Sequence, residues 1–247
     1  VGIPDDDRPW VFERTDLMLR GMDPSQGIPA EQHATVQAEL FEYAQRLTAA
    51  KRAAPADDVW TLLVDAVDGF ELEMFFLILS VAGSETTRNA LSQGLLALLH
   101  DPDQLTALRD DPSLLPSAAD EVIRWSSPAL FFGRTATRDV EVGGQQVRAG
   151  DRVVLWYPSG NRDEDVFVDP FRFDVRRAPT PHVSFGGGGP HYCLGANLAK
   201  KEVQVVLGAI AAGYDVEQLG PPVWASPGPV HNVGLSVDAL PVRLTPR

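Results

Sequence analysis

The segment from Glu71 to Leu99 contains no proline, is apolar nearly all round in its first half, and stops at His100-Asp101-Pro102. A stretch of that kind reads as one long buried helix, which places the chain among mainly helical folds. Its middle is odd: Ala82-Gly83-Ser84-Glu85-Thr86-Thr87 puts glycine, an acid and two β-branched alcohols where leucine would pack better and favour the helix more.

The elements around it follow the same logic. An acidic start and apolar Trp10, Val11, Leu17 and Met18 predict a helix from Asp5 to Leu19, and Val36, Leu40, Phe41, Ala44 and Leu47 predict a second one ending at Lys51 and Arg52. A short helical piece follows over Asp57 to Ala66, and two helices are expected over Pro102 to Asp110 and Ser117 to Trp125. The character then changes. Val140 to Val147, with Gly143-Gly144 at its centre, is a hairpin signal, and Arg152 to Tyr157 is β-rich. Asn161 to Thr180 reads as an irregular connection of a length that usually serves a site. A helix is expected from Leu194 to Ala212, with short strands near Pro241 to Leu244.

Composition narrows the function classes. A net charge of −13 gives no general attraction to nucleic acid or anionic membranes. The longest apolar run, Met74 to Gly83, is too short to span a bilayer, and acids stand near the start where a secretory signal would carry bases. One cysteine cannot form an intrachain disulfide, so a reducing, cytoplasmic setting is expected. The chain opens on Val1 without an initiator methionine, and an N-terminal part is expected to be missing.

Cys193 follows Phe185-Gly186-Gly187-Gly188-Gly189-Pro190-His191-Tyr192. A solitary cysteine is more often a small buried hydrophobe than a ligand. Here the glycines let the backbone approach a flat cofactor, and the helix that follows favours an anion, so both favour thiolate over thiol. None of the five histidines has a zinc-like spacing to Cys193. A cysteine nucleophile with His191 as its base stays open.

FGGGGPHYCLG, Phe185 to Gly195, resembles the cysteine-ligand loop of the cytochromes P450. Glu121-Val122-Ile123-Arg124 resembles the family's ExxR motif, Asp169 to Phe173 the segment that gives it a second arginine, and Ala82 to Thr87 the oxygen-binding stretch of the long helix. The resemblance covers essentially the whole chain as the C-terminal portion of one such domain. It implies a mainly α fold with small β-sheets, with a long oxygen-binding helix over 71–100, the ExxR helix over 117–125, a β region over 134–157 and the cysteine loop over 185–195.

What the resemblance implies for the site is specific. Haem b, iron protoporphyrin IX, takes Cys193 as its proximal ligand, with Phe185 and Gly186 among the cofactor-binding residues, Leu194 and Gly195 presenting amides to the sulfur, and His191 and Arg134 on a propionate. Ala82 and Gly83 leave room for dioxygen, and Glu85 and Thr86 disturb the long helix and deliver protons. Glu121, Arg124 and Arg172 form a buried charge network. Phe76, Leu79, Leu130, Phe131, Val230 and His231 face an apolar substrate, although ordinary core is the competing reading for Phe76 and Leu79.

The implied activity is monooxygenation of a small apolar substrate by dioxygen. Electrons come from a ferredoxin or flavodoxin-type carrier with its reductase, and Lys200 and Lys201 are candidate carrier contacts. The FGGGG loop, GANLA after the cysteine and AGSETTRN on the helix resemble actinobacterial branches that oxidise steroid side chains, methyl-branched lipids or terpenoids. Two other readings stand beside it: a truncated chain that neither binds haem nor turns over, and a peroxide-driven enzyme on the same fold, against which the Glu85-Thr86 pair argues.

Overall fold

The structure, a computed structural model, describes residues 1–21, 26–224 and 237–247. Eight α-helices and eight short strands in two-stranded antiparallel sheets make up the described residues, the mainly α architecture that the long apolar segment demands. The backbone clusters into two compact units, one of Val1–Glu85 and one of the described residues from Thr86 onward.

In the first unit, a 3-10 turn over Asp5–Asp7 precedes α1 (Arg8–Gly21), followed by α2 (Ala30–Ala53), α3 (Val59–Leu63) and the first half of α4 (Gly69–His100). Proline at position 9 suits a first helical turn, so α1 starts at Arg8 rather than Asp5. Val36, Leu40, Tyr43 and Leu47 form one face of α2 and are buried with Trp60, Leu72 and Phe76. Trp60 meets Phe76 edge-on with ring centres 5.5 Å apart, and each such side chain contributes about 1.5–3 kcal/mol by leaving water.

The second unit packs the latter half of α4 with α5 (Pro102–Asp110), α6 (Leu115–Ser126) and α8 (Ala196–Gly213) around Leu98, Leu108, Val122, Val203 and Leu207. Helices α4 and α6 meet at Gly94, where an added β-carbon would come within 2.7 Å of Val122. Strands β1 (Phe131–Thr135) and β4 (Arg152–Trp156) pair so that Arg134 lies opposite Val153. The hairpin of β2 (Val140–Val142) and β3 (Gln145–Val147) turns on Gly143 and Gly144, whose φ angles of 55° and 78° are those of a mirror-image two-residue turn. One short helix, α7 (Tyr157–Gly160), follows β4. Strand β5 (Tyr214–Gln218) pairs with β8 (Val242–Pro246), and β6 (Val223–Trp224) with β7 (Val237–Ala239).

Helix α4 is α-helical throughout, including Ala82 to Thr87. The expectation that Glu85 and Thr86 disturb it is therefore corrected. Ser84 shows how a polar residue is absorbed there: its hydroxyl bonds back to the Ser80 carbonyl at 2.6 Å and the backbone ladder continues.

Candidate active site

Glycine chemistry shapes the loop before Cys193. Gly186, Gly188 and Gly189 have φ angles of 93°, 96° and 80°, which side-chain-bearing residues rarely adopt, so the run can fold back sharply. The Cys193 amide donates to the Phe185 carbonyl at 3.0 Å and the Tyr192 amide to that of Gly189 at 3.1 Å, closing the loop on itself. Cys193 is exposed, and a β-carbon at Gly195 would stand 4.0 Å from its sulfur.

A cavity of about 300 Å³ opens beside this loop, lined by Gly186, Gly187, Gly188 and His191 on one side and by Arg134, Trp156 and Tyr157 from the β1–β4 sheet and α7 on the other. Arg134 and His191, far apart in sequence, thus share one chamber. No hydrogen bond joins His191 to Cys193 among the described residues, so the nucleophile reading has no preformed pair. Among the described residues, no three of His, Cys, Asp and Glu gather as a metal-ion cage.

A charge network is built on α6. Arg124 and Glu121, one turn apart on α6, are both fully buried. All five guanidinium N–H groups of Arg124 are used: Nε and Nη2 on the Glu121 carboxylate at 2.7 and 2.8 Å, and the rest on the carbonyls of Asn161, Pro170 and Arg172 at 2.8, 2.9 and 3.2 Å. The third cation is Arg177, whose Nε reaches Glu121 Oε2 at 3.0 Å. Arg172 gives its carbonyl to both arginines while the residue itself is exposed, which corrects its assignment to the network. The reason is the turn at Asp169, φ 50°, around which Arg177 also binds the carbonyls of Val168 and Asp169. Arg162, over the ring of Trp125 at 5.1 Å, has its pKa lowered by burial and by neighbouring Arg124, with Glu121 opposing.

Asn161 was not singled out by its sequence, where it follows Ser159-Gly160 as an ordinary turn residue. In the fold it is fully buried. Its amide donates to the hydroxyls of Ser127 and Ser184 at 2.9 and 2.8 Å and accepts from the Val183 amide at 2.8 Å, joining the end of α6 to the start of the cysteine loop. Ser127 holds a left-handed φ of 42° at the C-cap of α6.

The other expected residues are placed as follows. Phe76 has no exposed surface and contacts the rings of Tyr43 and Trp60, so it leaves the substrate-facing set, whereas Leu79 packs against the same core and is only partly buried. At Phe76 the helical spacing serves core and pocket equally; the neighbours decide it. Ala82 and Gly83 are exposed on α4. Phe131 stacks on Trp156 at 5.6 Å, and the Leu130 carbonyl accepts from the Tyr157 amide at 2.8 Å. Val230 and His231 lie outside the described residues. Lys201 is exposed, whereas the Lys200 ammonium is 2.7 Å from Asp120.

Comparison with known proteins decides the family. The model of the family described as "Cytochrome P450" matches residues 66–231. The chain belongs to the cytochrome P450 family.

A methyl-branched lipid omega-hydroxylase of Mycobacterium tuberculosis is 44% identical over 212 residues, 83% of this chain and 50% of the relative. A steroid C26-monooxygenase of Rhodococcus jostii is 41% identical over 229 residues, 90% of this chain and 48% of the relative. A Mycobacterium marinum cytochrome P450 solved in complex with pseudoionone superposes with a TM-score of 0.87 at 37% identity, covering 98% of this chain and 60% of that one. The chain spans about half the length of the curated relatives it matches. A cytochrome P450 implies a haem, and the residues present fit one: the exposed Cys193 stands on a glycine loop, and a cationic Arg134 and a histidine line the adjoining chamber.

Proposed function

We propose that this cytochrome P450 chain carries the haem-holding part of a monooxygenase that hydroxylates a small apolar substrate with dioxygen. One observation carries the reading: Arg134 and His191 line a single chamber walled by the glycine loop that leads to Cys193. Cys193 would ligate the iron of haem b, and Arg134 and His191 would bind its propionate through charge-assisted bonds. When bound, the haem would supply the redox centre for reducing dioxygen with two electrons and two protons, one oxygen atom entering a substrate C–H bond and the other leaving as water.

The chain's own residues do the rest. The Thr86 hydroxyl and the Glu85 carboxylate hold water and move protons from α4, with Ala82 and Gly83 leaving space before them. Leu130 and Phe131 contribute apolar surface for the substrate. A steroid, branched-lipid or terpenoid substrate is supported by the names of the relatives and by the pseudoionone held by the structural neighbour. Electrons arrive from a ferredoxin or flavodoxin-type carrier, and Lys201 suits its docking better than Lys200, which is paired. A cytoplasmic setting accords with the single cysteine; among the described residues no helix is long and apolar enough to cross a membrane.

The test is the absorption spectrum of the chain supplied with haem, reduced and exposed to carbon monoxide. A strongly red-shifted Soret band that disappears in Cys193→Ala is the expected result. A band unchanged by Cys193→Ala overturns the ligand assignment. No haem uptake at all overturns the reading for this chain by itself, and the truncated alternative then holds.

A further inference from the structure

We propose that Asp120 is a positioning residue that clamps together the two ends of the cysteine loop. It stands on α6 immediately before Glu121, and the two neighbouring carboxylates serve different partners: Glu121 takes Arg124 and Arg177, while Asp120 Oδ1 lies 2.7 Å from Lys200 Nζ and 3.5 Å from His182 Nε2. His182 precedes the loop and Lys200 follows it on α8, so one carboxylate spans both ends. The His182 side chain is only 4% exposed, and those of Asp120 and Lys200 are 29% and 32% exposed, which sets this cluster apart from a solvated surface pair. Burial opposes the charge on Asp120, but the neighbouring His182 and Lys200 together outweigh it and hold its pKa below the ordinary carboxylate value.

The two arms meet on Phe185. Its ring centre is 5.4 Å from that of His182, and the Lys200 ammonium sits over its face at 5.8 Å. The Phe185 carbonyl in turn accepts the Cys193 amide. A run of four glycines has little intrinsic preference for one path, so an external restraint at its ends is what selects a single position for the sulfur. The value of that position for haem rests on the function proposed above; the clamp itself is tested without haem.

The experiment is amide hydrogen exchange on the whole chain, comparing it with Asp120→Asn, Asp120→Glu, Lys200→Met and His182→Gln. Asp120→Asn is expected to speed exchange at Tyr192 and Cys193 about tenfold while the β5–β8 pairing is unchanged, with Asp120→Glu recovering part of the protection. Lys200→Met and His182→Gln, each removing one arm, should give a smaller loop-specific increase, about threefold. Unchanged loop amides in all variants, or equal acceleration throughout the second unit, overturn the clamp. If Asp120→Asn does not fold, the two single-arm variants decide alone. In haem-loaded protein, Asp120→Asn should also move part of the carbon monoxide band from the thiolate to the thiol position. Failure to take up haem would sink the functional reading and leave the exchange result to judge the clamp.

Discussion

Arg124 grips both carboxylate oxygens of Glu121, at 2.7 and 2.8 Å, with neither side chain exposed to solvent. A buried pair of this kind is stabilising only as a whole, because either charge left alone remains desolvated.

Glu121→Ala should therefore cost about 3–5 kcal/mol in denaturant unfolding, since it strands Arg124 and Arg177 together. The two downstream arginines separate cleanly. Arg177→Ala should cost about 1–2 kcal/mol by removing bonds to Glu121 and three carbonyls, whereas Arg172→Ala should stay within about 0.5 kcal/mol because only its backbone takes part. Equal losses at 172 and 177 would contradict the placement of the third cation.

Asn161→Ala removes one acceptor and two donated bonds from fully buried surroundings and leaves the Val183 amide unpaired. A loss of about 2–3 kcal/mol is expected, with faster exchange at Val183 as its local signature. Protection at Val183 equal to that of the unaltered chain would show that the side chain is not its partner.

Arg134 and His191 should matter for cofactor retention and little for folding, since both are exposed. Each alanine variant should weaken haem binding about tenfold in a Soret titration, as loss of one charge-assisted bond implies. Arg134→Lys should recover only part of the affinity, since an ammonium cannot bind a carboxylate with two parallel bonds. Haem affinity unaltered in the double variant would remove both from the site.

Acid should loosen the first unit through Asp58. Its carboxylate bonds Lys51 and caps α3 by accepting from the Thr61 amide, which together pull its pKa from 3.8 down to about 2. A lowered native pKa contributes stability that is present above the unfolded value and lost as pH falls through the native one. Fluorescence of Trp60, buried in the first turn of α3, should therefore report a loss between about pH 4 and about pH 2. Lys51→Met should flatten that limb; an unchanged acid profile would place the acid sensitivity elsewhere.

Much of the architecture was legible in the order of residues because its causes are local. The proline-free stretch from Glu71 to Leu99, apolar in its first half, dictates α4, Pro102 starts α5, and Gly143-Gly144 can join two strands only as a tight turn. The glycine run before Cys193 likewise marked a backbone able to take the positive φ angles found at Gly186, Gly188 and Gly189. Their chemistry resides in the residue types themselves.

Partners that depend on the return path of the chain were decided only by tertiary structure. Arg172 and Arg177 stand in the same irregular segment, with no periodicity to say which side chain turns inward; the left-handed turn at Asp169 and the buried Glu121 select Arg177. Phe76 has the spacing of a pocket residue and the neighbours of a core residue, and burial against Tyr43 and Trp60 settles it. Asn161 and Asp120 look like ordinary polar positions until α6, the irregular segment and α8 converge on them. Sequence determines which groups can bond within a helical turn or a tight loop, but a buried charge or amide must be satisfied by whatever distant backbone the fold delivers, and that choice belongs to packing.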